Sequence, residues 1–339
     1  MNRSITIAGT MTVDEICFME KFPSESELVT IESKHRTLGG LVPNCALALA
    51  QIDRELPINV VGVIGNDEKG SFIEDRFSQY KNINTKHIKK LGETPFTYAM
   101  ESRQNNTRTF FNFKGSSVNF DEFTIDFSVL ETELLHIGYL LLLDALDSPD
   151  LSYGTKMARV LKEAKSKGIE TSIDVITEDS KRYKEIIPPS LPYTDYCIIN
   201  ELEAGKITGI NLREQNNVLR INQISKVLYK LKEMGVNKWV IIHSPEGGFG
   251  YDGQDYYSVP SLSLTGEQIK ATVGAGDAFA SGVLYGIYKK KTILEALKLG
   301  ISSATSSLMN DQSILGIAPF EQLIQLYEEM PKNERLNII

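Results

Sequence analysis

The chain has 339 residues, and its 36 Lys plus Arg against 44 Asp plus Glu leave a net charge of −8; that balance argues against a nucleic-acid or anionic-membrane surface. Its longest apolar run, Ile137-Gly138-Tyr139-Leu140-Leu141-Leu142-Leu143, is far too short to cross a bilayer, and the polar opening Met1-Asn2-Arg3-Ser4 heads no signal sequence. A soluble cytoplasmic protein is expected, with Cys17, Cys45 and Cys197 lacking CxxC spacing, four scattered histidines lacking HExxH, and hence no zinc or hydrolytic metal site.

Short apolar runs at 5–9, 58–64, 134–138, 169–174, 196–199 and 239–242 predict buried strands separated by helical patterns. Such alternation gives an α/β fold, a parallel sheet covered by helices. Asp14 is expected just past the first strand, and Gly39-Gly40 just before a helix that begins near Pro43-Asn44. Two segments break the alternation: 17–38 has no helical period, and 97–113 reads as a hairpin of aromatic-rich strands around Gln104-Asn105-Asn106-Thr107. Together they predict a small β-sheet lid over the carboxyl ends of the strands, where ligands of open α/β sheets bind. The division is therefore 1–14, 39–95 and 115–339 as a large α/β domain, and 15–38 and 96–114 as the lid. Aromatics on the lid strands, among them Tyr98, Phe110 and Phe111, mostly pack the small sheet in this reading or cover an apolar ligand face. Further along, Ile221, Ile224, Leu228 and Leu231 predict a helix over about 217–234 that Gly235 stops.

The most informative stretch is Ala271-Thr272-Val273-Gly274-Ala275-Gly276-Asp277, a glycine-rich turn opening into a helix. Small residues at 274–276 let backbone N–H groups converge with the helix dipole on one point, which suits phosphate. Asp277 would repel such an anion, so its chemistry there is that of a proton acceptor for an attacking hydroxyl, as in phosphoryl transfer. The plain alternative is a helix start with packing glycines and an acid in the first turn. Asn200 and Glu203, after the strand at 196–199, likewise read either as a helix cap or as a ligand-holding pair. Gly65-Asn66-Asp67-Glu68-Lys69-Gly70-Ser71 lacks the Lys of a P-loop, and a single glycine after the first strand denies a dinucleotide fingerprint.

Taken in order, these motifs resemble those of the ribokinase-like (PfkB) carbohydrate kinase family. Gly9 with Asp14 is similar to its G-x-x-x-x-D, Gly39-Gly40-Leu41-Val42-Pro43-Asn44-Cys45-Ala46 to its GG-x-x-x-N-x-A, Asn200-x-x-Glu203 to its N-x-x-E, and residues 271–277 to its D-T-x-G-A-G-D. The resemblance covers nearly the whole chain. It implies a three-layer sandwich with a mostly parallel central sheet and a small β lid that often pairs between subunits, hence a possible homodimer through the lid. It further implies transfer of the ATP γ-phosphate to a hydroxyl, with Asp277 as base and the Gly274, Ala275 and Gly276 backbone as anion hole. Asp14, Gly39, Gly40 and Asn44 would bind acceptor hydroxyls, Asn200, Thr272, Gly274 and Gly276 would bind ATP, and Glu203 with Asn200 would hold Mg²⁺.

A helix N-terminus favours the ionised acid, so Asp277 is expected to be a weak base, which a loose transition state tolerates. The chain departs from the family pattern at Ala271, where an aspartate of a monovalent-cation site is usual; this leaves potassium activation open, with Lys270 beside the gap. The loop His243-Ser244-Pro245-Glu246-Gly247-Gly248 also lacks the family's glycine. The acceptor is expected to be a small sugar. Ser302-Ser303-Ala304-Thr305-Ser306-Ser307-Leu308 suggests pseudouridine-type nucleoside kinases as the second reading, and a non-catalytic sugar-binding protein is a third.

Overall fold

The computed structural model describes residues 4–105, 107–334 and 336–338. Met1, Asn2 and Arg3 of the polar opening, and Asn106 of the expected lid turn, lie outside the described residues.

In chain order the main elements are β1 (Ser4–Gly9), β2 (Thr12–Met19), β3 (Ser33–Gly39), α1 (Leu41–Ile52), β4 (Ile58–Ile64), α2 (Glu68–Ser78), β5 (Ile83–Lys90), β6 (Phe96–Ser102), β7 (Thr107–Phe113) and β8 (Thr132–Leu140). They continue with α3 (Lys156–Ser166), β9 (Glu170–Val175), β10 (Tyr196–Asn200), α4 (Glu201–Thr208), α5 (Ile221–Glu233), β11 (Trp239–Ser244), β12 (Gly247–Tyr251), β13 (Tyr256–Pro260), α6 (Ala275–Tyr288), α7 (Ile293–Leu308) and α8 (Phe320–Glu329). Nine strands form one sheet in the order β13-β12-β11-β10-β9-β8-β1-β4-β5. It is parallel from β11 to β5 and antiparallel at the β11-β12-β13 edge.

The central strands carry near-continuous apolar runs because helices cover both faces. All of β1 and β4 is buried. One face packs Ile5, Ile7, Ile198 and Ile241 against α1, α6 and α7; the other packs Leu135, Ile137, Ile199 and Ile242 against α3, α4 and α5. The result is the three-layer sandwich expected. Helices α6 and α7 cross closely because Gly282 has no side chain: a Cβ there would meet the Leu299 carbonyl oxygen at 2.4 Å. Close backbone approach of this kind fixes the axis of the helix that bears Asp277.

A second sheet runs β3-β2-β6-β7, antiparallel at its two outer pairings and parallel between β2 and β6. It is the small sheet expected from the broken alternation. Strand β2 starts at Thr12, with only two residues between it and the end of β1, so Asp14 stands on a strand of the small sheet and not in a turn. The small sheet thus takes up the chain before the expected boundary at residue 15. The aromatics also differ from expectation. Every residue of β7 is exposed, and Tyr98, Phe110 and Phe111 are 42%, 59% and 57% exposed. Phe110 and Phe111 stand on an edge strand with solvent on both faces, whereas Tyr98, on the inner strand β6, meets the Phe96 ring edge-on at 5.1 Å between centroids.

Two helix starts move as well. Helix α1 begins at Leu41 because Gly40, at φ 84°, turns the chain and Thr10 caps the first amides; Pro43 sits where a missing N–H costs nothing. Helix α5 begins at Ile221 and not near 217: Asn217 has φ 65° and an Arg213–Leu219 bridge holds the preceding turn. No helix among the described residues is long and apolar enough to cross a membrane.

Candidate active site

The expected site residues converge at the carboxyl ends of β1, β8, β9, β10 and β11, where an open parallel sheet leaves a crevice. Gly274 caps α6 in a left-handed conformation, φ 82°, which places the first-turn amides of Ala275, Gly276 and Asp277 at the mouth of the helix. Such amides have no intrahelical acceptor and favour an anion.

Asp277 lies in that first turn and is 5% exposed. Asn44 Nδ2 on α1 donates to its Oδ2 at 2.8 Å, and the Tyr139 hydroxyl at the end of β8 lies 2.8 Å from both carboxylate oxygens. The main chain is gripped too: Ser281 Oγ donates to the Asp277 carbonyl at 2.7 Å. Burial pushes the carboxyl up to about 6, and the Tyr139 and Asn44 hydrogen bonds only partly offset this. The expectation of a weak base from the helix dipole is therefore reversed, because desolvation outweighs the favourable amide field. An acid titrating near 6 is matched to accepting a proton at neutral pH.

Asp14 stands on β2 against Gly39, the residue before the Gly40 cap of α1. Burial raises its carboxyl to about 6 despite hydrogen bonds with Thr12 and Thr97. Gly39 forms its cradle: a Cβ at 39 would fall 2.3 Å from Asp14 Oδ2. Gly40 makes a similarly close approach to the Thr10 carbonyl, 2.7 Å from its own missing Cβ. In strand register Thr37, Asp14, Thr97 and Asn112 form one cross-strand row, with Asn112 Nδ2 donating to Thr97 Oγ1 at 3.1 Å. Phe110 shares that face of the sheet, whereas Tyr98 and Phe111 point to the other, because successive strand residues alternate. Replacing Gly39 with Ala is expected to displace the Asp14 carboxylate and raise the acceptor KM at least tenfold while the ATP KM stays put. Steady-state kinetics with each substrate varied in turn checks this.

Asn200 and Glu203 do form a capping box on α4. Asn200 Oδ1 accepts from the Glu203 amide at 2.9 Å, and the Asn200 amide donates to Glu203 Oε2 at 2.9 Å. The pair is more than a cap, since Thr177 Oγ1 and Asn200 Nδ2 both reach Glu203 Oε1, at 2.6 and 2.7 Å. Burial lifts the Glu203 carboxyl to about 7. Between it and Asp277 stands Asp174, at the end of β9, buried and pushed well above the usual carboxylate range by desolvation and then by Glu203 and Asp277. Thr272 is exposed in the turn before α6. Lys270 and Ala271 are tied by their amides to the Leu308 carbonyl, and the Lys270 side chain is exposed. Ser302 and Ser303 are fully buried in α7, where that helix packs on α6.

Tyr139 and Asp174 were not singled out by the sequence, although Asp174 ends the strand predicted at 169–174 and Tyr139 directly follows the one predicted at 134–138. That position was the available signal.

Residues 2–316 match the pfkB family carbohydrate kinase profile. The chain belongs to the pfkB carbohydrate kinase family. As a member it is an ATP-dependent carbohydrate kinase, in the broad sense that covers sugar and nucleoside acceptors. A ribokinase of Haemophilus influenzae is 21% identical over 337 residues, covering 97% of this chain and 99% of its own. Among solved structures, an Arabidopsis thaliana ribokinase complexed with ribose and ATP superposes with a TM-score of 0.80 at 18% identity, covering 97% of this chain and 99% of that one. A nucleoside kinase of Methanocaldococcus jannaschii gives 0.75 at 18% identity, with 97% and 99% covered. Both structures share the ribokinase fold with this kinase.

Proposed function

We propose that this kinase transfers the γ-phosphate of ATP to a hydroxyl of a small sugar. One observation carries the reading: Asp277, with a carboxyl near 6, is held by Asn44 and Tyr139 at a helix mouth whose first-turn amides have no acceptor among the described residues. Asp277 takes the hydroxyl proton as the oxygen attacks phosphorus, and the amides from Gly274 to Gly276 neutralise the charge that develops on the transferred group. Asp14 accepts hydrogen bonds from acceptor hydroxyls, Asn44 both donates and accepts, and Gly39 and Gly40 let the acceptor approach the backbone. Asn200 and Thr272 face the nucleotide side.

Among the described residues no three His, Cys, Asp or Glu side chains form a ready metal cage. Glu203, lifted by its own burial, adds to the pressure on buried Asp174 to hold a proton, and the two acids form a donor set that fits a water-clad Mg²⁺ between them and the phosphates. When bound, Mg²⁺ would neutralise phosphate charge. Glu203 and Asn200 would orient its water shell. Buried, free Cys17, Cys45 and Cys197 support a reducing cytoplasmic setting.

The small sheet acts in this reading as a lid, divided from the large domain along the 15–38 and 96–114 segments. Its outer strand β7, exposed along its whole length with Phe110, Phe111 and Phe113 uncovered, offers an edge for a second copy of the chain. Light scattering on the eluting protein is expected to give a dimer, and Phe111→Lys a monomer; a wild-type monomer at high concentration ends the lid-pairing idea.

The test of the function is ADP release with a panel of sugars and nucleosides, wild type against Asp277→Asn. Turnover with sugars supports the reading, and turnover confined to nucleosides replaces the acceptor class. Nucleotide and sugar binding without turnover would identify a binding protein.

A further inference from the structure

The small sheet has two unlike faces. On strand β2 the residues Val13, Glu15, Cys17 and Met19 are buried, whereas Asp14, Ile16 and Phe18 between them are half-buried. Strand residues alternate, so the open face is the one that bears Asp14. The start of α1 ties that face to the base: Gly39 lies against Asp14, Gly40 caps the helix, and Asn44, one turn in, donates to Asp277 at 2.8 Å. One helical turn rises about 5.4 Å, so both acids fall within the span of one small sugar.

Hydrogen-bond direction along the cross-strand row decides what the open face can offer. Asn112 Nδ2 donates to Thr97 Oγ1 at 3.1 Å, and Thr97 in turn hydrogen-bonds Asp14, whose carboxylate can only accept. The chain of donors ends on Asp14 and leaves acceptor oxygens for a ligand, those of Asp14 and Asn112 Oδ1. They suit a molecule that brings O–H donors. A carboxylate or phosphate brings acceptors instead and adds a like charge.

The cations on these strands are engaged elsewhere. Lys34 and Arg36 belong to the opposite face, where Arg36 bonds Glu15 and Glu68 at 2.7 Å each. Arg108 shares the face of Asn112 but stands four residues along β7, with the Phe110 ring between them, and is paired with Glu101. Four strand residues span about 13 Å, beyond the reach of a hexose phosphate that meets Asp14. Lys114, directly after β7, is held by both oxygens of Asp144 at 2.7 and 2.8 Å. His35 meets the Phe18 ring edge-on at 5.7 Å.

We propose, resting on the kinase reading, that the acceptor is an uncharged polyol, preferred over sugar acids and sugar phosphates by the row of Asp14, Thr97 and Asn112. Hydroxyls complete the acceptor oxygens of that row, while an anion there meets a carboxylate with no free cation beside it among the described residues.

Matched acceptors test this: ribose against ribonate, fructose against fructose 6-phosphate, and gluconamide against gluconate, a pair that differs in charge alone. ADP release reads turnover, and titration calorimetry with MgADP present reads acceptors that are held without reacting. The uncharged member of each pair is expected to lead by about a hundredfold, the cost of like charges roughly 5 Å apart near a protein surface. Asn112→Lys and Thr37→Lys, both at exposed positions of the row and each checked for unchanged melting, place an ammonium there; either should narrow the lead about tenfold or more. Thr97→Val removes the link to Asp14 and should raise the KM of the uncharged acceptor about tenfold while the ATP KM stays in place. An anionic member that equals or beats its uncharged partner overturns the proposal, as does a lead that both lysine variants leave unchanged. Should no member of any pair be held or phosphorylated, the sugar-kinase reading itself fails, which keeps the two failures apart.

Discussion

Asp277→Asn is expected to lower kcat roughly 10²- to 10⁴-fold, the range for removal of a positioned general base, with the KM values for ATP and acceptor nearly unchanged. The replacement keeps the size of the side chain and its contacts with Asn44 and Tyr139, which hold the wild-type carboxylate at 2.8 Å. What it removes is the ability to take a proton. Equal turnover by the variant would reject the base assignment. The same assignment has a sign in pH. Because burial raises Asp277 to about 6, the protonated and inactive form accumulates below that value, and kcat/KM should fall with acidification from about pH 6 downward. Asp14 is raised to about 6 as well, so the acid limb should be steeper than that of one group. In Asp14→Asn it should relax to that of a single acid; a profile flat to pH 4.5 contradicts both.

Gly274→Val should be nearly as damaging. Gly274 has φ 82°, a conformation β-branched residues avoid, and a Cβ there would meet Ile314 Cγ1 at 3.1 Å. Relief of that strain swings the amides of residues 275 and 276 away from the phosphoryl group. Loss of an anion-hole donor costs about 10²- to 10³-fold in kcat. Phosphorus-exchange or single-turnover assays with saturating acceptor isolate the chemical step. Retention of full kcat would mean that these amides do not meet the transferred group.

The parts of the site legible in the sequence are those built from backbone shape. The turn at 274–276, the pair Gly39-Gly40 and the Asn200–Glu203 box announce themselves because tight turns, close approaches and caps demand particular residues at fixed local spacing. The sheet was legible for a similar reason, since strands buried on both faces leave uninterrupted apolar runs. Tyr139 and Asp174 stayed hidden because their roles exist only after distant strand ends meet. Tyr139 lies inside an apolar run that hydropathy assigns wholly to the core, and a lone Asp174 at a strand end looks like any other. The acidity of Asp277 was misjudged on the same boundary: the helix dipole is local and visible, whereas the desolvation that overrides it comes from α1 and β8 packing around the carboxylate. The exposed rings of β7 were likewise illegible, because aromatic content says that a strand wants cover but not whether the fold supplies any.

After β1 the chain crosses to the small sheet in two residues, and β2 carries Asp14 out there, while Asn44 and Asp277 stay behind on helices of the main body. An alcohol that bonds to all three therefore bridges two separately mounted halves of the molecule. On the proposed function, recognition and enclosure are then a single event: the compound that fits is also the rivet that would draw the cover down, and water, too small to span both halves, would leave the phosphate donor unspent.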